Sequence, residues 1–212
     1  MPSGTVLAVC SADTDVVLDG VGPSGIDKRP HDHRVAVGPL GLTTDHVCDT
    51  KHHGGTDQAV YAYSEREARR WSTELGRDLP FGWFGENLRI DGMPITDAVV
   101  GERWAVGDDG LVLETTIPRT PCRTFAEWAE EPQWIKRFLA RADTGAYLRV
   151  LSPGTVGAGD RVVVTDRPDH GVLVRHLLAG VDADADALTR LLSDTQIPPK
   201  VLREASRKLA RA

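Results

Sequence analysis

Leu111-Val112-Leu113-Glu114-Thr115-Thr116-Ile117-Pro118-Arg119-Thr120-Pro121-Cys122-Arg123-Thr124-Phe125-Ala126-Glu127-Trp128 passes from one structural periodicity to another within eighteen residues. Residues 111–117 alternate as a half-buried strand does. Pro118 and Pro121 interrupt regular structure. From Thr124 the pattern is a helix start, with Thr124 and Glu127 at capping-box spacing. Cys122 therefore stands at the exit of a predicted strand and the mouth of a predicted helix, between Arg119 and Arg123. Cationic neighbours and a helix N-terminus both favour a thiolate over a thiol. A thiolate serves a soft metal or an electrophile. The commonest fate of a free cysteine, a small buried hydrophobe, fits poorly with these flanking prolines and arginines.

Working outward, short runs of strand character fill the first three-quarters of the chain. They cover residues 5–10, 34–37, 46–49, 59–63, 87–90, 103–106, 147–151 and 161–165. Turns such as Gly107-Asp108-Asp109-Gly110 and Pro153-Gly154 separate many of them. Helices are expected at 65–75, 125–130 and 133–142. The first has Ser64 and Glu67 as a capping box and Ala68, Trp71 and Leu75 as its buried stripe; the last has Pro132 in its first turn. After Arg167-Pro168 three short helices follow, at 172–178, 185–192 and 200–209, with Asp182 or Asp184 capping the second and Pro198-Pro199 preceding the third. The expected fold class is mainly β with peripheral helices (α+β). A barrel-like domain over residues 1–166 precedes a small three-helix C-terminal module over residues 167–212.

Composition limits function. A formal net charge of −6 over 212 residues argues against nucleic acid as a partner. No apolar run approaches a membrane span, and the N-terminus lacks a signal-peptide pattern. The three cysteines are far apart and suggest no disulfide framework. A cytoplasmic location with reduced thiols is expected.

Two further segments carry polar groups in suggestive order. Lys51-His52-His53-Gly54-Gly55-Thr56-Asp57-Gln58-Ala59-Val60 sets a cation, two imidazoles and a carboxylate around paired glycines, which permit positive φ and close backbone approach. Gly85-Glu86-Asn87-Leu88 offers an amide able to donate and accept. Taken singly, each reads best as a turn with polar decoration. His31-Asp32-His33 reads as a solvated loop, Cys10 as strand core, and Cys48 as structural. The basic face formed by Lys200, Arg203, Arg207, Lys208 and Arg211 reads as the wet side of a helix.

Together the ordered segments, continuing through Gly145-Ala146-Tyr147-Leu148-Arg149-Val150-Leu151 to Gly159-Asp160, resemble the MOSC-domain family over most of residues 1–166. The nearest branch is the YiiM-like one associated with resistance to 6-N-hydroxylaminopurine, which also carries a short helical tail. Two departures stand out: the motif histidine is doubled, with His52 read as the spectator, and Gly82-Trp83 stands where Pro-Gly is the family pattern.

The resemblance implies a β-barrel that binds the molybdenum cofactor, with Cys122 as the metal ligand. It implies catalytic roles for Cys122, His53 and Asp57. Cofactor-binding roles fall to Lys51, His53, Gly54, Gly55, Asn87, Arg119, Arg123 and Arg149, the cations serving the cofactor's phosphate. The implied activity is reduction of an N-hydroxylated small molecule. A non-catalytic cofactor carrier and a hydrolase or transferase with Cys122 as nucleophile and His53 as base are the alternatives. The three dispersed cysteines cannot hold an iron–sulfur cluster, and no Gly-x-Gly-x-x-Gly follows a strand. Electrons are therefore expected from a separate flavin, haem or iron–sulfur reductase, with the helical tail as a docking surface.

Overall fold

The computed structural model describes residues 2–50 and 53–211. Its strands are β1 (Ser3–Ser11), β2 (Val16–Leu18), β3 (Gly22–Ser24), β4 (Arg29–Pro30), β5 (Val35–Gly38), β6 (Gly41–Leu42), β7 (Val60–Ser64), β8 (Leu88–Asp91), β9 (Arg103–Val106), β10 (Leu111–Thr115), β11 (Ala146–Ser152), β12 (Gly154–Val156) and β13 (Arg161–Asp166). Seven of them close a ring in the order β13-β9-β10-β11-β7-β8-β1, with β1 pairing back onto β13. Closure leaves the ring without a free edge. The pair β7–β8 is parallel, because helix α1 (Glu65–Leu75) carries the chain between them as a crossover. The other ring pairs are antiparallel.

Two apolar cores result. The first is largely aliphatic and includes Val6, Leu88, Ile90, Leu113, Leu148 and Val162, with Trp104 among them. The second is aromatic and gathers Tyr61, Tyr63, Trp71, Trp83, Phe84, Phe125, Trp134 and Phe138 with α1, α2 (Arg123–Ala129) and α3 (Trp134–Arg141). Phe125 meets Trp134 edge-to-face at 5.3 Å between ring centroids. Burying such a ring is worth about 2–3 kcal/mol. That packing fixes where α2 begins, and so where Cys122 sits.

Several expectations need correction. Residues 46–49 form no strand; the side chains of His46 and Cys48 bond to Asp15 and the segment has no strand partner among the described residues. Neither capping box forms. Glu67 turns into the core to accept from the Thr96 hydroxyl, and the N-cap of α2 is Cys122, with Thr124 already helical. Pro132 lies before α3, whose N-cap is Gln133 in the left-handed region. The first tail helix is a single 3-10 turn, Val174–Leu177, preceded by a bridge from Val99 to Leu173. The next two are α4 (Ala185–Leu192), capped by Asp184, and α5 (Pro199–Leu209), with proline in its first turn. Val172, Val174, Leu188, Leu191 and Val201 belong to the same core as the barrel strands, so the tail helices, too short to stand alone, pack against the barrel. No helix among the described residues is long and apolar enough to cross a membrane.

Candidate functional site

The exit of β10 brings Arg119 and Cys122 to a cavity of about 700 Å³. Its walls come from Ile26 and Lys28, from the segment after β6 (Asp45, His46, Cys48, His53, Gly54, Gly55 and Gln58), from Tyr61 and Tyr147, and from Gly85 and Asn87. The volume lies in the range of small-molecule and cofactor sites.

Cys122 is half-buried and caps the first turn of α2. Burial alone pushes its thiol up. The hydrogen bond with His53, the Arg119 charge and the backbone N–H of Phe125 together outweigh burial and bring it down to about 6. The Phe125 amide faces the sulfur without the geometry of a strict side-chain cap. Cys10 differs, since burial and the nearby Glu86 carboxylate push it up to about 12. Cys48 is raised by desolvation and by its bond to Asp15. Of the three sulfurs, only that of Cys122 is shifted toward the thiolate.

Arg119 is buried, donates to the Phe84 carbonyl, and stacks over Phe125 at 4.2 Å and Tyr61 at 5.2 Å. No carboxylate among the described residues pairs with it. Its charge acts on the Cys122 thiolate, and a guanidinium with no carboxylate partner is also able to take an anion from outside the protein. Gly54 and Gly55 adopt φ of 72° and 80°, and a Cβ at Gly55 would meet nothing within 4 Å. Both glycines give the loop its positive φ, as the sequence suggested; Gly55 faces open space, whereas a Cβ at Gly54 would lie 3.2 Å from Val47 Cγ2. Gly82 is needed for a different reason: at φ +85° a Cβ would lie 2.1 Å from the Lys28 carbonyl oxygen.

Other sequence-derived candidates take different places. Asp57 is not among the lining residues; its carboxylate accepts from the Lys200 backbone N–H at 3.0 Å and anchors the start of α5. Asn87 lines the cavity with its side chain already engaged. Its Oδ1 accepts from Tyr61 N, and its Nδ2 donates to Cys10 O at 3.2 Å and Asp45 Oδ2 at 2.7 Å. With both amide hydrogens used, Asn87 is a positioning residue rather than a donor to a ligand. Arg123 is mostly exposed and pairs with Glu127 at 3.9 Å; Arg149 pairs with the buried Glu114 at 2.7 Å. Neither lines the cavity. Lys51 and His52 lie outside the described residues.

Sequence reasoning missed Lys28, Asp45, Tyr61 and Tyr147. Lys28 is buried and ion-paired to Asp45, which also accepts from Asn87 and from Ala12 N. The basic tail face is also smaller than expected. Lys200 turns inward to Gly54 O at 3.4 Å and to Gln58, and Lys208 donates to Leu178 O at 2.8 Å.

Comparison with known proteins places the chain in a family. The family model described as MOSC domain matches residues 49–163, more than half of the chain. A protein named "Reductase" from Gibberella moniliformis is 29% identical over 184 residues; the match covers 85% of this chain and 32% of that protein, so the chain spans about a third of its length. YflK of Bacillus subtilis, an uncharacterized protein, is 29% identical over 82% of this chain and 79% of its own. The crystal structure of YiiM from Geobacillus stearothermophilus shares the fold, with a TM-score of 0.77 and 23% identity over 98% of this chain and 100% of that one. The chain is a member of the MOSC domain family.

Proposed function

We propose that the cavity binds the molybdenum cofactor, with Cys122 as the ligand to the metal, and that the chain acts as a reductase of N-hydroxylated bases or related N-oxygenated compounds. One observation carries the reading: a stabilised thiolate and a buried guanidinium lacking a carboxylate partner share one cavity. This donor set fits the group. A soft thiolate suits a thiophilic metal, Arg119 suits the anionic end, and the rings of Tyr61 and Tyr147 offer apolar walls to a planar pterin.

When bound, the cofactor supplies a two-electron centre. The protein's own groups do the rest. Cys122 offers sulfur as thiolate near neutral pH, so ligation releases little proton. His53, beside that sulfur, is the group placed to hold a proton at a ring nitrogen and pass it to the departing hydroxyl of an N-hydroxylated substrate. Asn87 keeps Asp45 on Lys28, so that Lys28 enters the site as half of a neutral pair. Electrons are assigned to a separate flavin, haem or iron–sulfur reductase, since no cluster of four thiolates is available in a chain with three cysteines. The name of the Gibberella relative supports the reaction class only as far as the matched third of that protein.

A second reading has its own support in the His53–Cys122 hydrogen bond, the contact a cysteine nucleophile and its base would make. One assay separates the two: cofactor-loaded protein with a chemical reductant and N-hydroxylated purine, beside metal-free protein with the same purine. Turnover confined to loaded protein supports the reductase. Turnover by metal-free protein, abolished by thiol alkylation, supports the nucleophile, and retention of cofactor without turnover leaves a carrier.

A further inference from the structure

A second cluster of metal-binding groups stands at the rim of the cavity. Asp15, between β1 and β2, meets His46 and Cys48 from the segment after β6, and their donor atoms all lie within 4.8 Å of one another. Asp15 Oδ1 is the hub, 2.5 Å from His46 Nε2 and 3.1 Å from Cys48 Sγ. All three residues are exposed, and His46 and Cys48 line the cavity. We propose that Asp15, His46 and Cys48 form an accessory site for one divalent ion of zinc type, distinct from Cys122 and independent of the cofactor reading.

The orientation of His46 points to a ligand. Its Nδ1 lies 3.0 Å from the Ala12 carbonyl oxygen, which can only accept, so the proton belongs on Nδ1 and Nε2 faces the other two donors. Metal-binding histidines are held in this way, with the far ring nitrogen donating to a carbonyl or carboxylate. The donor set is equally specific. Thiolate, imidazole and carboxylate together suit a borderline ion, whereas magnesium and calcium prefer oxygen alone. Thiolate and carboxylate bring two negative charges to a dication. Tetrahedral zinc needs about 3.3–3.5 Å between such donors, given Zn–N and Zn–O near 2.0 Å and Zn–S near 2.3 Å. Asp15 must therefore move away from His46 and from Cys48 by about 1 Å or less, which exposed groups can do. Cys48 gives up its proton to solvent on ligation. Three protein ligands leave a fourth position for water or an anionic ligand. The ion would also tie the loop that follows β1 to the wall that leads to His53.

The test uses the full chain made without molybdenum cofactor, stripped with chelator and titrated with Co²⁺, whose thiolate complexes absorb in the near ultraviolet. The expected result is a band saturating at one ion per chain. It should persist in Cys122→Ser, vanish in Cys48→Ser, and require at least tenfold more Co²⁺ in His46→Ala. Absence of a saturable band would overturn the proposal. So would a band that survives Cys48→Ser but is lost in Cys122→Ser, or one lost in both, since the ion would then sit on or bridge to the other thiolate.

Discussion

Removing His53 should change the acidity of Cys122 enough to read directly. With a thiol lowered to about 6 from the ordinary 9.0, about nine-tenths is thiolate at pH 7, against about one-hundredth for an ordinary cysteine. A thiolate three pKa values weaker as a base is intrinsically slower, by about 15- to 30-fold for a Brønsted slope of about 0.4–0.5. The net advantage toward a small aromatic disulfide is then only about 3- to 6-fold at pH 7. At pH 5.5 the thiolate ratio is about 760, and the advantage grows to about 25- to 50-fold. The assay is the rate of reaction of metal-free protein with a pyridyl disulfide from pH 4.5 to 9.5, in a Cys48→Ser background because Cys48 is exposed. A midpoint near 6 is expected. His53→Ala should move it upward by one pH unit or more, because burial then faces only Arg119 and the Phe125 amide. A wild-type midpoint near 9, or a midpoint indifferent to His53→Ala, would refute the reasoning.

Three other outcomes follow from the same contacts. Burial, with Asp143 reinforcing and Thr96 opposing, raises Glu67 from 4.5 to about 7. Its folded form holds the proton more tightly than its unfolded form, so stability falls as pH rises from about 4.5 to about 7, by on the order of 3 kcal/mol. Glu67→Gln should remove that slope, and parallel denaturation curves of both proteins across this window would show it; identical slopes would contradict it. Asp45→Asn strands Lys28 as a buried charge and should cost about 3 kcal/mol, most of it restored in the Lys28→Met, Asp45→Asn double variant. A double variant no better than the single would count against the pair. Arg119→Met should reduce cofactor retained through purification at least tenfold, while apo-protein stability changes by no more than about 2 kcal/mol, the scale of its cation–π contacts. Equal retention by both proteins would remove Arg119 from the cofactor's anionic end.

The passage from β10 to α2 was legible because it is local: alternation, two prolines and a new period are all visible within one stretch. The α1 boundaries were legible for the same reason, with Trp71 and Ala68 on the buried face. Ring order was not, since the pairing of β1 with both β8 and β13 depends on residues far apart in sequence. Long-range contacts also decide where the predicted site residues lie. Lys28 and Asp45 meet across seventeen positions in irregular backbone, where no periodicity reports that a lysine is buried. Asp57 looked like part of the glycine loop, but its partner Lys200 arrives from the tail. Glu67 had the spacing of a capping residue, yet desolvation beside Thr96 and Asp143 won over the helix end. Arg149 matched a family motif by position, but its strand side chain is paired with Glu114.

Molybdenum and pterin content, measured on protein purified from cofactor-competent and cofactor-deficient hosts, tests the central claim most directly. About one molybdenum and one pterin per chain is expected in wild-type protein from the competent host alone. In Cys122→Ser from that host molybdenum should fall at least tenfold, while Cys48→Ser keeps it. Equal molybdenum from both hosts, or full occupancy in Cys122→Ser, would contradict the account.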